Sequence, residues 1–193
     1  MPLANTTTGW GALARLFHWA MAALIVGMLI FGTIMVDWPD AELQTKFALY
    51  QWHKSFGFVV AGLLVLRALW RWVQPVPPLP PGTSRFTRRA SALSHGALYA
   101  LMLVMPLTGY LMSSANTLGV PTQIFGVVEV PHLIGPDARL EALFKTMHAW
   151  SASALMALVA LHVLAALKHA VIDRDGVWTR MAKGPQAGET PAS

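Results

Sequence analysis

The chain has 193 residues, 55% of them hydrophobic and only 12% charged, about half the charged share of an ordinary soluble domain; this excludes a water-soluble globular protein and points to a bilayer. The formal net charge of +5 would suit nucleic acid, but the basic residues flank apolar runs and form no patch interleaved with aromatics, so nucleic-acid binding is excluded. With no cysteine there is no disulfide and no thiolate to ligate a metal or tether a cofactor covalently.

A helix needs about 20 mostly apolar residues to cross the bilayer core, and four segments meet that need. The first runs from Leu16 to Val36. It is long, lacks a small-x-small cleavage site before Asp37 and carries His18 at its start, so it reads as a retained span and not a cleaved leader. A short loop, Asp37 to Trp52, leads to the second span, His53 to Trp72. The connector from Gln74 to Pro81 holds Pro75, Pro77, Pro78, Pro80 and Pro81 and is predicted to be extended and semi-rigid. The third span is Ala92 to Met112, and a long loop from Ser113 to Thr146 precedes the fourth, Met147 to Leu167. A loop of that length is often functional. Residues 1–183 are thus expected to form one all-α domain, an integral membrane four-helix bundle, with residues 184–193 as a disordered tail.

Orientation follows from the basic residues, which stay on the cytoplasmic side of a span. Ten of the fourteen Lys and Arg residues lie at one membrane face, from Arg15 through Arg67, Arg71, Arg85, Arg88 and Arg89 to Lys168, Arg174, Arg180 and Lys183. Lys46, Lys54, Arg139 and Lys145 lie at the other, with six of the nine acidic residues. Both termini are therefore predicted to be cytoplasmic.

Seven histidines in so apolar a chain need an account, because ionisable groups in a membrane are costly and usually functional. His18 and His95 are predicted to open helices that start in the cytoplasm, and His53 and His148 to open, or nearly open, helices that start in the periplasm. His162 lies fourteen residues after His148, close to four turns and about 21 Å along the same helix face, which brings it to the level of His18. Two pairs at two depths result: His53 with His148, and His18 with His162. A haem b takes two axial imidazoles from facing helices, so two pairs suit two non-covalent, bis-histidine haems. Snorkelling helix ends explain any one such histidine, but not four at matched depths. For His95 and His169 the alternatives are a haem propionate, a quinone or lipid headgroups. His132 reads as an ordinary loop residue, and Trp10, Trp19, Trp70, Trp72, Trp150 and Trp178 mostly as interfacial anchors.

These residues resemble the bacterial cytochrome b561 family. The similarity is carried by Leu16-Phe17-His18-Trp19, by Trp52-His53-Lys54-Ser55-Phe56-Gly57, by Arg67 to Arg71, by His95 with Met105-Pro106-Leu107-Thr108-Gly109, and by the spacing of His148, His162 and His169. It extends from about Arg15 to Met181. The resemblance implies a dihaem cytochrome of the bacterial inner membrane with the same four ligands, His18, His53, His148 and His162. It further implies electron transfer between a periplasmic donor and the quinone pool, and most specifically superoxide oxidation coupled to ubiquinone reduction.

With both axial positions filled, outer-sphere electron transfer is the natural chemistry. An anionic donor would need local positive charge, for which Lys145, one turn before His148, and Lys54, next to His53, are the candidates. His169, with Lys168 and His95 or Ser94, is the candidate quinone anchor. Two rival readings remain. One is a haem-bearing membrane anchor subunit of a larger dehydrogenase, hydrogenase or reductase, which the lack of a soluble domain fits equally well. The other is a cation or proton transporter with a histidine relay, which the scarcity of carboxylates within the spans disfavours.

Overall fold

A computed structural model describes residues 2–184; of the tail expected from residue 184 onward, all but Gly184 lies outside the described residues. Four long helices dominate: α1 (Ala12–Asp37), α2 (Leu43–Val73), α3 (Arg85–Ser114) and α4 (Ala138–Lys168). A single 3-10 turn, Asp40–Glu42, leads into α2. Between α3 and α4 stands a two-stranded antiparallel hairpin, β1 (Thr122–Ile124) and β2 (Val128–Val130), with Gln123 opposite Glu129. A π-helical turn, His169–Asp173, continues α4, and a short α5 (Val177–Ala182) follows.

All four long helices have the length and composition of membrane spans. At 1.5 Å per residue, 26 to 31 residues reach about 39–46 Å, more than the roughly 30 Å hydrocarbon core, so each helix has turns left over at its ends. Large apolar side chains on them face outward: Trp72 is 83% exposed and Leu161 63%. In water this would be ruinous; in lipid it is the ordinary solution.

The helices start earlier than hydropathy suggests, which corrects the expected boundaries. His53 lies ten residues inside α2 and His148 ten residues inside α4, so neither opens its helix; the same holds for His95, ten residues inside α3, and for His18, six residues inside α1. The charged stretches around Lys46 and Lys145 lower hydropathy without breaking a helix. Asp137 caps α4, its Oδ1 accepting from the N–H groups of Arg139 (2.8 Å) and Leu140 (3.0 Å), and Ser84 caps α3 through the Thr87 N–H (3.0 Å). The loops shorten accordingly, and the connection between α3 and α4 is not structureless but contains the hairpin.

By contacts the chain divides into two compact units, and each long helix gives a segment to both. Among the described residues, the first comprises 2–22, 63–99 and 157–184, and the second 23–62 and 100–156. In the first unit the N-terminal segment is tied to the proline-rich connector: the Asn5 N–H donates to Gln74 Oε1 (3.1 Å) and Asn5 Nδ2 to the Pro75 carbonyl (2.9 Å). Helix α5 docks on α1, with Trp178 edge-on to Trp19 and Trp19 Nε1 donating to the Met181 carbonyl (3.3 Å).

In the second unit the hairpin is fixed to α2. Ser55, 1% exposed, donates to the Gln51 carbonyl (2.8 Å) and accepts from the Phe125 N–H (2.9 Å). The turn places Phe125 (φ 51°) and Gly126 (φ 69°) in the left-handed region, closed by Val127 N–H to the Ile124 carbonyl (3.0 Å). Glycine accepts that conformation freely but phenylalanine does not. Here Phe125 is held by Trp52 and Phe56, with ring centroids at 5.6 and 5.5 Å, as well as by Ser55.

Candidate haem and electron-transfer site

The second unit brings His53 and His148 together, their ring centroids 6.2 Å apart. An imidazole nitrogen sits about 2 Å from a metal it binds, which puts the ring centre about 3 Å away, so two rings facing each other across one ion stand about 6 Å apart. The environment of His148 is polarised for that role. Its Nδ1–H donates to the Met105 carbonyl (3.1 Å), with Thr108 Oγ1 at 3.2 Å, and this leaves Nε2 with its lone pair available.

Gly109, one turn beyond Met105, lets the ring in: a Cβ there would stand 3.1 Å from His148 Cε1. Gly32 plays a similar part for His53, its absent Cβ lying 3.4 Å from His53 Cε1. His53 Nδ1 is buried with no hydrogen-bond partner among the described residues, a costly arrangement for a polar atom that serves only packing. Donor chemistry, ring spacing and glycine clearances therefore all fit an iron porphyrin.

The first unit gathers three histidines where pairing by depth expected two. His18 and His162 have ring centroids 6.2 Å apart, and His95 approaches His162 at 5.4 Å. His95 Nδ1 donates to the Ser91 carbonyl (2.8 Å), one turn earlier on α3. His18 differs, because Arg67 Nη2 lies 3.1 Å from its Nδ1 and a guanidinium can only donate. Arg67 also meets Met21 Sδ (4.0 Å) and lies over the Tyr99 ring, 5.7 Å from its centroid. From the sequence Arg67 counts toward the basic membrane face and the Arg67 to Arg71 motif, and its place beside a histidine pair comes only from the packing of α1 against α2.

The expected quinone anchors are not gathered in one place. His169 sits at the end of α4, its Nδ1 2.6 Å from Asp175 Oδ2, while Lys168 pairs with Asp173. With Thr83 and Ser84 just before α3 and Phe86 and Thr87 in its first turn, these residues line a cavity of about 400 Å³. His95 turns instead to His162, and neither His95 nor Ser94 lines that cavity. Of the two lysines, Lys145 is exposed, three residues before His148. Lys54 is half-buried, with Nζ turned toward the Pro121 carbonyl (3.5 Å).

Comparison with known proteins gives the arrangement its family. Residues 9–184 match the family model described as prokaryotic cytochrome b561. The chain is 36% identical over 184 residues to Cytochrome b561 homolog 2 of Escherichia coli (strain K12), covering 94% of this chain and 95% of that protein. It is 27% identical over 173 residues to a Yersinia pestis protein named Probable superoxide oxidase CybB, covering 85% of this chain and 96% of that one. The chain belongs to the prokaryotic cytochrome b561 family, multi-pass proteins of the bacterial inner membrane that carry b-type haem and transfer electrons.

Proposed function

We propose that residues 1–183 form a single dihaem cytochrome b domain that oxidises superoxide and reduces ubiquinone, with both termini in the cytoplasm. The observation that carries this reading is the recurrence of one geometry, a pair of imidazoles with centroids 6.2 Å apart, once in each unit. His53 and His148 would hold one haem and His18 and His162 the other. Haem bound this way supplies one-electron transfer at an iron with no open coordination position. The similarity to a protein named for superoxide oxidation supports the choice of donor.

In the balanced reaction two superoxide anions give up one electron each and become two molecules of oxygen, while ubiquinone takes both electrons and two protons. The protein's own groups serve that chemistry in three ways. Met105 fixes the His148 tautomer, so Nε2 is free to ligate. Lys145, exposed one turn from His148, supplies positive charge where an anion would approach. Lys54, drawn toward the hairpin, is less free to do so and also acts as a tether. At the other site His169, oriented by Asp175, lines a cavity where Phe86, Ala90 and Ala165 would face a quinone ring and the hydroxyl and charged side chains its oxygens.

The test is haem content with spectroscopy. Purified protein should carry two six-coordinate low-spin haems, and His18→Ala, His53→Ala, His148→Ala and His162→Ala should each leave one. His95→Ala should keep both; loss of one there would move a ligand to His95. Protein purified alone should reduce ubiquinone when supplied with superoxide. Failure to do so with both haems present would favour an anchor subunit of a larger complex.

A further inference from the structure

We infer that Arg67 is the residue that recognises the carboxylates of the haem in the first unit. The inference rests on the reading that His18 and His162 hold that haem. Arg67 lies six residues before the end of α2 and is half-buried, where a guanidinium without a counter-ion is expensive. Among the described residues it makes no ion pair with a carboxylate; its neighbours are a neutral ring nitrogen, a thioether and an aromatic face. These are weak partners for a charge that normally seeks a bidentate anion.

Arg67 Nη2 lies 3.1 Å from His18 Nδ1, so the guanidinium stands beside the ring that would hold the haem. The two propionates of a porphyrin would offer it the carboxylate partner that its present neighbours do not. Arg71 lies nearby, with Cζ 6.0 Å from both the Tyr99 and the Trp10 centroids and its charge close to His95, but it is Arg67 that meets His18. The second unit has no comparable arginine: Arg139 stands at the start of α4, nine residues before His148.

The experiment uses full-length protein produced without haem and titrated in detergent with haem b or with its dimethyl ester, in which the propionates carry no charge. Absorption and electron paramagnetic resonance follow the two haems. The first-unit haem is identified as the one lost in His18→Ala, which is itself the check on the ligand reading: if His18→Ala keeps both haems, that reading fails whatever Arg67 does. Wild-type protein should prefer haem b over the ester at the first unit by about tenfold to a hundredfold, the scale of a charge-assisted contact. Preference at the second unit should be much smaller. Arg67→Met should abolish the first-unit preference, Arg67→Lys should restore part of it, and Arg71→Met should leave it in place. Normal loading of the second unit in each variant shows that the chain has folded and inserted. Equal binding of haem b and ester by the wild type overturns the proposal, as does preference surviving in Arg67→Met or vanishing only in Arg71→Met.

Discussion

Replacing Gly109 with alanine tests the second-unit site with a single methyl group. The new Cβ would stand 3.1 Å from His148 Cε1, whereas carbon atoms rest comfortably at about 3.5–4.0 Å, so the ring must retreat by roughly half an ångström. That movement would stretch the 3.1 Å bond from His148 Nδ1 to the Met105 carbonyl to the edge of useful length. A lost hydrogen bond of about 1 kcal/mol and overpacking of about 1 kcal/mol together weaken haem binding by roughly tenfold to thirtyfold. The assay is haem titration of the full-length protein, followed through the Soret band, with the first-unit haem as internal control. Alanine is a better helix former than glycine by about 1 kcal/mol, so a weakened α3 cannot account for the loss. Wild-type affinity and an unchanged spectrum at the second unit would refute the assignment of His148 as a ligand oriented by Met105.

Three further outcomes are expected. Lys145→Glu should slow superoxide-driven haem reduction several-fold, with the difference shrinking as salt rises and the absorption spectrum unchanged; a salt-independent rate equal to wild type would remove Lys145 from the approach path. His169→Ala should lower ubiquinone reduction by roughly tenfold or more at normal haem content, and Asp175→Asn, which weakens the contact to Nδ1, should do so in part; stopped-flow measurement with reduced protein would show neither if quinone binds elsewhere. Ser55→Ala should destabilise the second unit by about 1 kcal/mol, because it removes the bond that holds the Phe125 N–H to α2, and should quicken proteolysis within residues 115–137; unchanged cleavage would mean the hairpin is held by its aromatic contacts alone.

The spans were legible because lipid demands long apolar runs, and sequence displays those directly. Their ends were not, since a helix tolerates charges such as Lys46 and Glu141 that a hydropathy window counts against it. Pairing His18 with His162 and His53 with His148 needed only chain direction and the rise of a helix, and the structure brings both pairs together. The convergence of His95 on His162 was harder to foresee, because helix rotation is set by packing and not by depth. The hairpin escaped notice for another reason. Strands of three residues leave almost no periodic signal, and the positive φ at Phe125 runs against what that residue prefers, so Gly126 was the only local hint.

Gln51, Lys54 and Ser55, all bonded to the segment that carries the hairpin, bracket His53 along α2. This stretch of chain is therefore less a flap than a bracket bolted on both sides of an imidazole. A force applied to it, whether from a docking protein or from a change in the lipid surface, would be transmitted as strain to His53, the proposed haem ligand. Mutations at the turn should consequently register as changes in redox potential before they register as changes in access.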